Sequence, residues 1–363
     1  MSDEMKTKDS LITHHSSLIT SVHGRGASWN PQNRFESIEY VRDEEAEDQP
    51  APNTLFLRDP TRTIIAHNDS PDVGFESSIN PYRGCEHGCI YCFARPTHEY
   101  LGFSAGLEFE SKILVKEDAP ELLREELMSK RWTPHLIAIS GVTDPYQPIE
   151  RKLQITRRCL EVLAEFRNPV CIITKNHLVT RDIDVLQELA KYDAVSVNLS
   201  VTTLDPALAN IMEPRASIPS RRIEAVEALA KANIPVGVMV APVIPAITDH
   251  EMPAILTAAA NAGATSAGFV LLRLPWAVAP LFERWLDEHF PDRKQKVLNR
   301  VRVLRDGKLY DARWGVRQRG EGIFAEQLDA IFDVTCRKLR LNEISRDLSA
   351  SSFRRPTAQG SLW

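Results

Sequence analysis

Within Asn80-Pro81-Tyr82-Arg83-Gly84-Cys85-Glu86-His87-Gly88-Cys89-Ile90-Tyr91-Cys92, three cysteines lie four and three positions apart. Three thiolates on one short loop form a soft, electron-rich pocket suited to iron-sulfur chemistry. Each cluster iron takes one protein thiolate, so Cys85, Cys89 and Cys92 leave one iron of a 4Fe-4S cluster without a side chain and open to a small molecule. Gly84 and Gly88 allow turns tight enough for the sulfurs to meet. A zinc knuckle with His87 or His98 as fourth ligand is the competing reading, although structural zinc favours a second ligand pair.

A regular scaffold must hold that loop. Strands are expected at 77–82, 136–140, 170–174, 194–202, 235–241 and 266–272, alternating with helices near 121–130, 153–166, 182–191, 220–232, 250–262 and 281–289. Six β-then-α units argue for a parallel sheet. In the fourth strand Val195, Val197, Leu199 and Val201 alternate with Ser196, Asn198, Ser200 and Thr202, so one face is aliphatic and the other polar. Gly237, Met239 and Ala241 similarly stand opposite Val236, Val238 and Val240. A flat sheet with helices on both faces would be apolar on both. Here helices cover one face and the other lines a lumen. A full eight-stranded barrel needs roughly 250 residues, which leaves a partial (β/α)6 barrel as the expected α/β fold, over 54–290.

The ends differ from this core. Residues 1–53 read as a disordered acidic leader, with ten acids against five Lys and Arg in the first fifty residues. Within it, 24–36, with Trp29 and Phe35, is a candidate arm folding back onto the domain. Ser-Leu-Ile-Thr occurs there twice, at Ser10 and Ser17, around a His pair, and is read as a repeat of no consequence. Residues 291–363 read as a small mixed C-terminal extension with a helix at 321–339. Between 300 and 355 there are thirteen Lys and Arg against eight acids, which fits either a solvated basic face or a phosphate-bearing substrate. Net charge is -5, and outside the leader the charges balance, so no global nucleic-acid signal remains. Three clustered cysteines and three scattered ones, Cys159, Cys171 and Cys336, do not form a disulfide framework. No apolar run spans a bilayer. A cytoplasmic protein with no membrane association is expected.

With Tyr91 immediately before the last cysteine, Cys85, Cys89 and Cys92 resemble the cluster motif of the radical S-adenosylmethionine (SAM) enzymes. Within that superfamily the chain is most similar to the spore photoproduct lyase-like branch, with gaps, over about 72–320. The resemblance implies a 4Fe-4S cluster on the three cysteines and S-adenosyl-L-methionine on its open iron. It implies cofactor contacts at Tyr91, at Thr143 and Asp144 in Ser140-Gly141-Val142-Thr143-Asp144, at Lys175 in Ile173-Thr174-Lys175, at Ser200, and at Ala241 in Val240-Ala241-Pro242. Read singly, Asp144 is also a turn residue, Lys175 a solvated strand end and Ser200 a local backbone partner; together they stand at the C-terminal ends of barrel strands, where such enzymes place their chemistry.

Two positions depart from the lyase. Gly141 stands where that family carries the cysteine that returns hydrogen to the base, and Phe93 stands where a tyrosine follows the third cluster cysteine. A glycine has no S-H and a phenyl ring no O-H. Cys171 on the third strand reads either as facing the lumen or as a small buried hydrophobe, the latter favoured by Ile172 and Ile173, and Cys159 and Cys336 on helices read as packing. Glu213-Pro214-Arg215 reads as either a substrate clamp or a surface ion pair, and 146–150 as a turn near the mouth. The expected function is reductive cleavage of SAM to a 5'-deoxyadenosyl radical that takes hydrogen from an unidentified substrate. A low-potential electron donor such as flavodoxin or ferredoxin would be the partner. The alternatives are a photolesion repair lyase with a nucleic-acid substrate, and a non-catalytic zinc-binding interaction module.

Overall fold

The structure, a computed structural model, describes residues 24–35, 53–343 and 347–356. Ten strands occur among them: β1 (Leu55–Arg58), β2 (Ile65–His67), β3 (Ser77–Ile79), β4 (Tyr82–Arg83), β5 (Lys112–Val115), β6 (Ile137–Ile139), β7 (Val170–Thr174), β8 (Val195–Ser200), β9 (Val236–Val243) and β10 (Ser266–Leu271). Seven form one sheet in the order β10-β9-β8-β7-β6-β3-β2. The run from β3 to β10 is parallel throughout, and β2 adds an antiparallel edge against β3. This is the expected partial (β/α)6 barrel. The strands β1, β5 and β4 form a small separate sheet that periodicity did not reveal.

The two faces divide as their sequences require. Val195, Val197 and Leu199 of β8 are fully buried under the helices, whereas Ser196 and Asn198 are half-buried on the inner side. The helix Ile155–Phe166 buries Cys159, Leu160, Leu163 and Phe166 on one stripe, so Cys159 is packing, as expected. Cys336 is buried likewise on Ile323–Leu339. Cys171 differs. It alternates with buried Val170 and Ile172 and lies half-buried on the inner face.

A second core joins the loop after β4 to the region beyond the barrel. Cys89, Ile90 and Tyr91 pack with Phe282, Trp285 and Leu286 of the helix Val278–His289 and with Val297, Leu298 and Val301 of Lys294–Val303. The latter helix was missed because Lys, Arg, Gln and Asn hold most of its other positions. Residues 24–35 do fold back, as the candidate arm. Residues 1–23 and 36–52 of the 1–53 leader lie outside the described residues.

A six-stranded barrel does not close, and its open side lies between the edge strands β10 and β2. That gap is bridged. Asp72, in the β2–β3 connection, accepts from the Gly315 amide at 2.6 Å and pairs with Arg317. Behind the bridge lies a cavity of about 330 Å³, lined by Met239, Gly268, Val270 and Gln318 among others. Among the described residues no helix is long and apolar enough to cross a membrane.

Candidate active site

The chain leaves β3 through Asn80 and Pro81 and enters the cysteine loop from β4. The Cys85 amide donates to Phe109 O at 3.0 Å, the Gly88 amide to Cys85 O at 3.3 Å and the Cys92 amide to Cys89 O at 3.1 Å. Gly88 has φ +67, and a Cβ there would lie 2.7 Å from Glu110 Oε2. Arg95, fully buried, holds the loop from beneath. It donates to the carbonyls of Gly88, Cys89, Ala105 and Gly106 at 3.0–3.1 Å and to Glu110 Oε1 at 2.5 Å. The same Glu110 carboxylate accepts the arm's Gly26 and Ala27 amides at 2.9 and 2.8 Å. A Cβ on Gly26 would fall 1.6 Å from Gly88 O, so arm and loop are in backbone contact.

Cys85 and Cys89 are buried and Cys92 is half-buried. Burial, the largest influence, raises all three thiol pKa values. At Cys92 the Arg95 guanidinium and the amides of Ala94 and Arg95 oppose that rise. Among the described residues no three His, Cys, Asp or Glu side chains are closed into a ready metal cage. The donor chemistry nonetheless fits an iron-sulfur cluster: three soft thiols on one loop, with amide and guanidinium donors nearby to stabilise thiolates. It fits a His87-completed zinc site poorly. His87 Nδ1 lies 3.4 Å from Asp144 Oδ2, and Nε2 lies 3.1 Å from Asn176 Nδ2.

The wall facing this loop gathers at the strand ends. Asp144 accepts from Thr174 Oγ1 and from the Tyr146 and Lys175 amides at 2.7–2.9 Å. Burial works to raise its pKa, but His87 and these donors outweigh it and hold the carboxyl below the ordinary range. The Thr143 hydroxyl donates to Tyr82 O at 2.8 Å and serves the loop. One Asn80 carboxamide oxygen collects the amides of Gly141, Val142 and Thr143 at 2.8–3.2 Å. The motif after β6 is thereby fixed to the start of the cysteine stretch.

Lys175, Ser200 and Ala241 meet directly. Lys175 Nζ donates to Ser200 Oγ and to Ala241 O at 2.8 Å each, and Ser200 Oγ donates to the same carbonyl at 3.0 Å. The ammonium also lies 5.6 Å from the Tyr91 ring centre and 3.3 Å from Glu213 Oε1. Burial first, then the Arg222 charge, brings Lys175 down to about 8. Tyr91, Lys175, Ser200 and Ala241 therefore form one constellation, with Asp144 and Thr143 beside it.

Sequence reasoning paired Glu213 with Arg215, and the structure separates them. Glu213 is buried and pairs with Arg222, Lys175, Tyr91 and Thr202. Arg215 turns to Glu86 at 2.8 Å. Arg222, nine residues on and fully buried, was missed, as were Thr202 and His87 in their present roles. The inward phase of Thr202, two residues after Ser200 on the polar face, was the one signal available for it.

The Radical SAM superfamily profile matches residues 79–259, from the end of β3 to the helix after β9. An uncharacterized protein of Mycobacterium tuberculosis is 36% identical over 220 residues, 60% of this chain and 65% of the relative. An uncharacterized protein of Methanocaldococcus jannaschii is 29% identical over 184 residues, 51% of this chain and 66% of that one. The chain thus spans 65% of the length of the first of these relatives. Among solved structures, a spore photoproduct lyase variant matches with TM-score 0.55 and 16% identity, covering 78% of this chain and 79% of that one. Another, with bound AdoMet and dinucleoside spore photoproduct, matches with TM-score 0.53 and 16% identity over 78% of each. These structures share the fold.

Proposed function

Because the chain belongs to the radical SAM superfamily, we propose that it is a radical SAM enzyme whose Cys85, Cys89 and Cys92 hold a 4Fe-4S cluster. When bound, the cluster and S-adenosylmethionine supply a one-electron reductive cleavage whose 5'-deoxyadenosyl product abstracts hydrogen from a substrate. A low-potential donor such as flavodoxin or ferredoxin would provide the electron. The observation that supports the reading is a tri-cysteine loop, two of its thiols buried and the third half-buried, opposite the Lys175–Ser200–Ala241 constellation.

The chain's own residues do the positioning. Lys175, as the cation on that wall, is suited to the cofactor carboxylate. Ser200 and the Ala241 carbonyl offer a hydroxyl and an acceptor for the nucleoside, and the Tyr91 ring packs beside them. Asp144 holds its strand end in place through Thr174 and the Lys175 amide. Arg95 and Glu110 fix the loop so that the thiols need not search for their geometry.

Photolesion repair by the lyase's own relay lacks support from this chain. Gly141 offers no S-H, and a Cβ added there would meet Ser78 Oγ at 3.1 Å. Phe93 offers no O-H.

The test is anaerobic reconstitution with iron and sulfide, followed by addition of SAM and dithionite. Absorbance at about 400 nm from thiolate-to-iron charge transfer and formation of 5'-deoxyadenosine are expected. Wild-type deoxyadenosine formation by Cys89→Ser would refute the assignment. Deuterium passing from a candidate compound into deoxyadenosine would identify the substrate.

A further inference from the structure

Arg273 follows β10, two residues past Leu271, at the C-terminal end of the last barrel strand. Its guanidinium carbon lies 4.8 Å from the centre of the Phe93 ring, and Phe93 is the residue after Cys92. The group therefore sits at the barrel mouth beside the cysteine loop. No carboxylate, carbonyl or hydroxyl among the described residues accepts from it, and its Nε is buried without an acceptor.

A second cation stands behind it. Arg305 is fully buried, with Nη2 donating to Leu272 O at 2.6 Å and Nη1 to Val316 O at 3.0 Å. Its Nε also lacks an acceptor. Burial, then the charge of Arg273, lowers Arg305 to about 10. The acid that acts on Arg305 is Asp311, and that carboxylate is already held by Arg313 at 2.7 and 2.9 Å. Arg305 thus has a committed carboxylate and Arg273 has none among the described residues, and placing two such guanidinium groups side by side costs free energy until an anion joins them.

Other cations near the mouth are engaged. Arg34 pairs with Glu99 at 2.8 Å, Arg215 with Glu86 at 2.8 Å, and Lys175 has the partners given above. Arg273 is different: among the described residues nothing accepts from its donors, Phe93 supports it by cation-π contact, and Arg305 anchors the carbonyl of the preceding residue. A guanidinium fork matches an oxyanion in two-point geometry.

We propose that Arg273 is the oxyanion-binding group of the substrate site, seating a carboxylate or phosphate of the molecule that loses hydrogen. The word substrate rests on the radical-enzyme reading, whereas anion binding does not. A protein that binds phosphate at Arg273 but makes no deoxyadenosine would sink that reading alone.

The experiment titrates inorganic phosphate into the full chain at constant ionic strength, exchanging it against chloride, and follows tryptophan fluorescence. Trp276, 57% exposed, is the nearby reporter. Saturable binding is expected, weakened about tenfold or more in Arg273→Gln and partly restored in Arg273→Lys. A parallel acetate titration ranks carboxylate against phosphate, and saturation by either supports the site. Native protein supplies a second measurement independent of variant folding: phosphate or acetate should slow phenylglyoxal modification of Arg273, read by peptide mass. Equal binding by native and Arg273→Gln protein, or modification unaffected by either anion, would overturn the proposal. So would loss of the anion effect on saturating the reconstituted protein with SAM, which would give the site to the cofactor's own carboxylate.

Discussion

Lys175 Nζ and Glu213 Oε1 stand 3.3 Å apart inside the barrel mouth, and the same Glu213 carboxylate pairs with Arg222. One buried anion therefore serves two cations, Arg222 fully buried and Lys175 partly so. Its position keeps Lys175 near Ser200 and the Ala241 carbonyl while Arg222 secures the Ser200 and Ser217 carbonyls.

Glu213→Gln should be strongly destabilising, because it leaves Arg222 and Lys175 facing each other without a counter-ion. Breaking a buried pair by removing one partner costs roughly 3–5 kcal/mol. Urea unfolding of the cluster-free protein reads this directly, and a loss below about 1 kcal/mol would show that water solvates the network.

Lys175→Met should raise the SAM concentration required for deoxyadenosine formation by about ten- to a hundredfold, the worth of a hydrogen bond to a charged group. Lys175→Arg should recover part of that loss. An unchanged requirement in Lys175→Met would place the cofactor carboxylate elsewhere.

Gly26→Val should unseat the arm, since its Cβ would lie 1.6 Å from Gly88 O. Chelator should then bleach the reconstituted cluster several-fold faster, about 3- to 10-fold if local opening becomes cheaper by about 1 kcal/mol. Gly74→Ala is the control, because nothing lies within 4 Å of a Cβ there. Identical bleaching rates would mean that the arm does not shield the loop.

His98 supplies the pH test. Its ring is fully buried, and burial outweighs the backbone of Lys112 and Glu108 to lower its pKa from 6.5 to about 4. Above pH 6.5 folded and unfolded chains both hold it neutral. Between 6.5 and about 4 the unfolded chain takes a proton that the folded chain refuses, so stability falls as pH falls. The slope from this group approaches about 1.4 kcal/mol per pH unit. His98→Gln should remove that component, and an unchanged slope would show that the ring protonates in the folded state.

The barrel was legible because its strands carry a two-residue period with one aliphatic face, as in Val195, Val197 and Leu199, and because turns and amphipathic helices separate them. β1, β4 and β5 were not legible as a sheet. They are two to four residues long and draw their order from partners distant in sequence. The same distinction governs the site. Lys175, Ser200 and Ala241 were named through the family resemblance, and they meet because barrel geometry brings strand ends together. Glu213 could not be matched to Arg222 by proximity in sequence: Arg215 is nearer along the chain, but the helix Pro219–Lys231 brings Arg222 back under β8.

The arm also bears on the order of assembly. Its contacts run from Thr54 to Glu288, the latter accepting from Ser28 Oγ at 3.1 Å across 260 positions of sequence. The arm is made before each of these partners, yet it cannot be fully seated until that last anchor has been made. About 200 residues separate the cysteine loop from Glu288, so at about 5–20 residues per second the loop stays incompletely covered for roughly ten to forty seconds. Completion of the cover over the thiols therefore waits on the helix Val278–His289 rather than on the loop's own neighbours.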